Sequence, residues 1–352
     1  MNFYYEFPAV KGLQANNEYY ISMVPLKLLS KLFPNDDEII TPENRAQRRI
    51  NEARIPEIKQ YILDNRDTYV FSALSASIDG DFKFISQDNS DIGILKVDMN
   101  AVFLINDGQH RKAAIEVALL EDKSLDDETI SIVFFRDLGL TRSQQMFTDL
   151  NKHAVKTSNS LSTLYNSRDP LAVITRDVIE NVTFFRKYTD KERDILGKNS
   201  LNLFTLNNIY KANQIIVHGD NCGTEQRDYL IKFWNTVAEN INEWQDVLNR
   251  QMTKKDLREN YIVILAVTLN ALGRLGRFFY ENPEYDMIEY LSKLKGIDWL
   301  RSNDRNWKGR TINENGKVVN SESAAILTCN KIKTLIGLKL SKEEKLKEKR
   351  VK

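Results

Sequence analysis

Asp107, Gly108, Gln109, His110, Arg111 and Lys112 stand consecutively, so a carboxylate, an amide, an imidazole, a guanidinium and an ammonium crowd around one glycine with no apolar residue among them. Every non-glycine side chain of the set can donate or accept a hydrogen bond. One of only three His in the 352-residue chain is here. Gly108 admits a backbone geometry that a Cβ hinders. A helix beginning at this point would present N–H groups without partners, and its positive dipole end would add to the charges of Arg111 and Lys112. These are the components of an anion site, and phosphate is the usual anion. Asp107 and His110 beside it offer a second chemistry, hydrolysis of a phosphate ester, with Asp107 as metal ligand and His110 as general acid or base. The third alternative is an Asp-Gly turn that starts a helix and binds nothing.

The flanking residues supply the expected mount. Residues 101–105 form an apolar run of strand length, and Ala113, Ala114, Val117 and Ala118 recur at helical spacing beyond the turn. Further strands are expected at 19–24, 71–78, 82–85, 94–97 and 130–135, with Asp79-Gly80-Asp81 as a hairpin turn between the second and third. A parallel crossover from 101–105 to 130–135 would leave the Gly108 turn at the carboxyl end of a strand, where open sheets hold ligands. A helix over 45–63 should break near Ile55, ahead of Pro56, and another over 142–151 buries Met146, Phe147 and Leu150. From Asn159 onward strand signals fade, and helical recurrence covers 161–165, 170–185, 203–217, 226–248 and 257–280. An Asn315-Gly316 turn joins 310–312 to 317–319 as a hairpin, and Ser321 caps a helix over 324–336 that Gly337 stops. The expectation is an α/β domain with a mixed sheet over residues 1–158, a mainly α-helical domain with one β-hairpin over 159–338, and a frayed basic tail over 339–352.

The order Asp-Gly-Gln-His-Arg at 107–111 resembles the signature of the DGQHR-domain family, and within it the DndB-like DNA sulfur modification proteins. The likeness extends upstream through residues 47–50, 58–65 and 71–80, and downstream through 147–152 and 307–310, covering most of residues 40–340. That family is in turn similar to the N-terminal domain of ParB and to sulfiredoxin, where a Gly-x-[His/Arg]-Arg turn holds the phosphates of a nucleotide. The resemblance implies a ParB/sulfiredoxin-like fold for the first domain. It also implies a nucleotide, with a nucleoside triphosphate as candidate cofactor, held by Gly108, His110 and Arg111, with Gln109 and Lys112 beside them and Asn151 on the following helix. Two departures limit what is implied. Gln109 stands where sulfiredoxin needs its attacking Cys, which disfavours sulfinic acid reduction. Leu150 and Ala154 stand where ParB has charged residues, which disfavours hydrolysis by the ParB route and leaves nucleotide binding.

Composition narrows the remaining classes. The formal net charge is +1, from 50 basic and 49 acidic residues, so positive potential has to be local. Residues 299–317 interleave Trp299 and Trp307 with Arg301, Arg305, Lys308, Arg310 and Lys317, a pattern that suits DNA contact and equally suits core tryptophans under a solvated face. The two Cys lie outside any Cys-x-x-Cys pair, which disfavours a disulfide framework or zinc site; His218 and Cys222 are the one pair at ligand spacing. No run reaches the length of a membrane helix, and the N-terminus lacks a basic-then-apolar signal pattern, so a cytoplasmic, membrane-free protein is expected. What the resemblance implies within these bounds is a DNA-binding regulator associated with DNA phosphorothioate modification. It would repress its own operon at the promoter, act beside other DNA modification proteins, hold a phosphate or nucleotide at the turn, and be open to homo-oligomerisation. The alternative is a nucleotide hydrolase or nuclease of a DNA modification or defence system.

Overall fold

The computed structural model describes residues 3–34, 51–137, 139–152, 157–197, 199–218 and 222–349. The chain divides into two compact units, Met1–Val155 and Lys156–Lys352, each with its own apolar core.

Unit 1 is a mixed α/β unit. Its strands are β1 (Tyr4–Gln14), β2 (Asn17–Pro25), β3 (Leu74–Asp79), β4 (Phe82–Ser86), β5 (Ile92–Asp98), β6 (Val102–Asp107) and β7 (Thr129–Arg136). They form one seven-stranded sheet in the order β4-β5-β1-β2-β7-β3-β6, with β3 parallel to β7 and the other pairs antiparallel. The helices are α1 (Leu29–Leu32), α2 (Ile55–Asp64), α3 (Gln109–Glu121) and α4 (Leu140–Lys152). Alternation puts Phe7, Ala9, Tyr20, Val24, Leu95, Val97, Ile132 and Phe134 on one face, where they share a core with Leu29 and Leu32 of α1, Ile62 of α2, and Ile115, Ala118 and Leu119 of α3. Val10, Ile21, Met23, Ile85 and Ile92 lie on the opposite face and are exposed.

Three expectations for this unit are corrected. Strand β1 was not foreseen, because Pro8 in mid-run argues against a central strand; here Pro8 aligns with Ile94 and its carbonyl accepts from Ser22 Oγ at 2.8 Å. The Asp79-Gly80-Asp81 turn exists, with Gly80 at φ 137°, but it is no hairpin: β4 pairs with β5 and β3 with β6 and β7. The parallel crossover from β6 to β7 also fails, since β3 lies between them and β6 runs antiparallel to it. A buried strand carries the same apolar pattern in either direction, so periodicity could not settle strand direction or neighbours. The part of the expected 45–63 helix before Asn51 lies outside the described residues; the rest begins at Ile55, with Pro56 tolerated in the first turn.

Unit 2 is helical: α5 (Asn159–Tyr165), α6 (Pro170–Asn181), α7 (Thr183–Tyr188), α8 (Leu206–Val217), α9 (Thr224–Glu239), α10 (Asn242–Leu248), α11 (Lys254–Asn260), α12 (Ala266–Glu281), α13 (Met287–Ser292), α14 (Asp304–Trp307), α15 (Glu322–Leu335) and α16 (Lys342–Glu348). A two-residue parallel pair, β8 (Thr189–Asp190) and β9 (Phe204–Thr205), joins them. Its core is aromatic. Phe184 stacks on Trp244 with centroids 4.7 Å apart, and Trp299 on Trp307 at 5.4 Å. Trp234 donates its indole N–H to Asn213 Oδ1 at 2.7 Å, and Trp307 donates to the Asp298 carbonyl at 2.9 Å. Helices α8 and α12 approach closely because a Cβ on Gly273 would lie 2.8 Å from the Ala212 carbonyl oxygen.

The expected β-hairpin is reduced to single bridges, Ile312 to Val318 and Lys308 to Ile312, around a turn with Gly316 at φ 73°. Thr311 is drawn into the interior, where its hydroxyl meets that of Thr328 at 2.8 Å, and this breaks the alternation a paired strand needs. The frayed end is also corrected. Ser341 and Glu344 form a reciprocal cap for α16, and Glu344 reaches Lys333 of α15 at 2.6 Å.

Candidate functional site

Strand β6 ends at Asp107 and α3 begins at Gln109, so Gly108 alone makes the turn between them. Its φ of 104° and ψ of 15° are left-handed, and a Cβ there would collide with the Leu74 side chain. Only glycine meets both conditions. No side chain among the described residues caps α3, which leaves the start of a 13-residue helix with donor groups and a positive dipole end.

The structure disperses the side chains that stand together in sequence. The Arg111 guanidinium donates to the Ser72 carbonyl at 2.7 Å, to the Ser72 hydroxyl, to the Ala73 carbonyl at 3.1 Å and to Asp107 Oδ2 at 2.7 Å. It straps the lead-in of β3 to the turn. His110 Nε2 accepts the Asn51 N–H at 2.9 Å, which makes this nitrogen the unprotonated one. Lys112, expected to charge the turn, is instead 4% exposed and paired with Glu116 at 2.8 Å on the next turn of α3. Consecutive side chains on a helix do not face each other whereas those at i and i+4 do, so Lys112 joins Glu116 and not the residues it adjoins in sequence. Asn151 lies near the end of α4, and its side chain is outside the described residues.

Beside the turn lies a buried polar cluster that sequence reasoning missed. A register shift in β3 sets Ser75 opposite Asp107 of β6, next to Asn106. Asn106 is fully buried; its Nδ2 donates to Ser77 Oγ at 2.8 Å and contacts Met146 Sδ of α4 at 3.2 Å. Asn106 Oδ1, Ser75 Oγ and Gln109 Nε2 are all buried without a hydrogen-bond partner among the described residues. Unmatched polar atoms in an interior are costly, on the order of 1 to 3 kcal/mol each, and these three belong to the turn and to the strand residue paired with it. Gln109 was among the expected ligand residues, and Asn106, two residues before the glycine, was available as a signal; Ser75 was not.

The basic segment in unit 2 is also more engaged than its sequence suggests. Trp299 and Trp307 are core residues. Arg301 is partly buried and donates to the carbonyls of Tyr261 at 3.1 Å and Arg258 at 2.7 Å; burial lowers its pKa. Arg310 pairs with Glu348 of α16 at 2.5 Å, and Lys308 with Glu314 at 2.9 Å. Arg305 and Lys317 are exposed. Arg310 and Lys317 are therefore not mounted on neighbouring strands. Lys331 of α15, which sequence reasoning missed, joins Arg305 around a depression of about 670 Å³. Burial lowers the Lys331 pKa and the Arg310 and Arg305 charges lower it further, against Glu348, which raises it; Asp298 and Asp304 line the same depression.

Among the described residues, no helix is long and apolar enough to cross a membrane. Searches of curated proteins and of solved structures returned no match. The family described as DndB, DNA-sulfur modification-associated, matches residues 7–339, from the first strand to the residues after α15. With the match spanning both units, the chain belongs to the DndB family, associated with DNA sulfur modification.

Proposed function

We propose that this protein is a DNA-binding regulator of DNA sulfur modification, a repressor at its own operon's promoter, with a nucleotide or other phosphate-bearing ligand held at the Gly108 turn. The observation that carries the ligand site is the uncapped start of α3 together with three buried atoms on nearby residues, Ser75 Oγ, Asn106 Oδ1 and Gln109 Nε2, that lack partners among the described residues. Backbone N–H groups at Gly108 to Arg111 would take the phosphate, and the three side chains its remaining donors and acceptors. The ParB/sulfiredoxin-like reading of unit 1 has the same support, a strand, a left-handed glycine and a helix start. The hydrolytic alternative has less, because Asp107 is held by Arg111 and the His110 Nε2 lone pair by Asn51.

Calorimetric titration of the full chain with a nucleotide panel tests the pocket. Gln109→Leu and Ser75→Ala should each weaken binding about tenfold, the loss of one hydrogen bond to a charged group; equal affinity in both variants overturns it. DNA contact is assigned to the exposed cations Arg305 and Lys317 together with Lys331. Reversing all three should weaken binding to promoter and random duplex alike, and reduce the salt slope by about 0.9 for each phosphate no longer neutralised. An unchanged slope in gel-shift titrations places the DNA surface elsewhere.

A further inference from the structure

Unit 2 has a cleft of its own, none of whose lining residues belongs to the turn. This cleft of about 920 Å³ lies between the residues preceding α6, the outer face of α8, α12 and the first turn of α15. Three arginines, Arg168, Arg274 and Arg277, line it together with His218 and the Gln214 amide. Arg274 and Arg277 are three residues apart on α12 and so share one face. His218 ends α8 in a left-handed conformation, φ 45°, which turns the chain off the helix at the rim of the cleft. Leu171, Ile215 and Tyr210 form its less polar wall.

The acidic residues in the cleft divide into one committed and one available. Asp169 is fully engaged: Oδ1 accepts from the N–H groups of Leu171 and Ala172, and Oδ2 accepts the Tyr210 hydroxyl at 2.7 Å. Glu322 is different. It reaches in from α15 with its side chain 79% exposed and accepts from Arg274 Nη2 at 2.9 Å. Arg274 Nε is buried with no partner among the described residues, so the fork that could grip an anion at two points is used at one. Arg277 is held by its neighbour Glu281 at 2.7 Å on the same helix, a weak exposed pair.

We propose that this cleft binds a phosphorylated small molecule of nucleotide size, with Arg274, Arg277 and Arg168 on the phosphate and Tyr210, Leu171 and Ile215 against the remainder. Glu322 occupies the anion's place until the ligand displaces it. The volume falls within the range of small-molecule sites, and guanidinium forks match phosphate oxygens. A carboxylate already seated on Arg274 is a built-in competitor, so removing its charge strengthens binding.

The test uses the full chain, with AMP and inorganic phosphate as probes in calorimetric titrations. Native protein should bind AMP at least tenfold more tightly than phosphate. Arg274→Gln with Arg277→Gln should lose at least tenfold for AMP, while Lys232→Gln, an exposed residue of α9 outside the cleft, leaves this binding unchanged. Glu322→Gln should gain severalfold, and this readout stands if the double variant does not fold. No AMP binding, equal affinity for AMP and phosphate, native AMP affinity in a folded arginine double variant, or no gain in Glu322→Gln each overturns the proposal.

Discussion

Arg111 joins segments 39 residues apart, and that decides what its removal does. Its side chain is 17% exposed and serves two carbonyls, a hydroxyl and a carboxylate. Arg111→Ala should therefore cost on the order of 3 kcal/mol in urea unfolding, since hydrogen bonds to charged groups contribute about 1.5 to 3 kcal/mol each and the carbonyls left behind are only partly rehydrated. Arg111→Lys retains the charge but not the planar fork, and should recover less than half of that loss. A cost under about 1 kcal/mol would show that the strap is not needed. The same geometry explains what sequence could disclose here. Gly108 and the start of α3 depend on residues within one helical turn, and were legible. The partners of Arg111, and Ser75 beside Asn106, arrive through the β3–β6 pairing, which no local spacing records.

At the level of elements, α16 is docked by charge. Lys333, with its side chain 7% exposed, meets Glu344 at 2.6 Å, and Arg310 meets Glu348. Burial by itself raises the Glu344 pKa, but hydrogen bonds from Lys333 and the Ser341 N–H, with the Lys333 charge, outweigh it and leave the carboxyl below its ordinary 4.5. A pKa lowered by folding contributes stability that is fully present above the unfolded value and is lost as pH falls through the folded one. Amide exchange across residues 342–348 should thus accelerate below pH 4.5 before the rest of unit 2 loosens, and Glu344→Gln should remove that pH dependence. Exchange equally slow in both would mean that packing alone holds the helix. Elements of this kind were partly legible. Strand alternation and helical recurrence identified most segments, whereas Pro8 hid β1 and the Lys-rich composition of 339–352 hid a capped helix whose partners lie on α15.

Over the whole molecule, the chain divides between Val155 and Lys156, and period-two strands give way to helical recurrence in the sequence near Asn159. How the strands neighbour one another was not legible there. The aromatic core of unit 2 has one more consequence. All four tryptophans, Trp234, Trp244, Trp299 and Trp307, are buried in that unit, and unit 1 has none. Indole emission is therefore a private signal of one half of the chain, while the sheet contributes to far-ultraviolet dichroism in silence. Ile132→Ala, a cavity in the core of unit 1 worth about 2 to 5 kcal/mol, should shift the dichroism transition and leave the fluorescence midpoint where it was. If both midpoints move together, the two halves melt as one body, and the tryptophans report on a sheet in the other half of the chain.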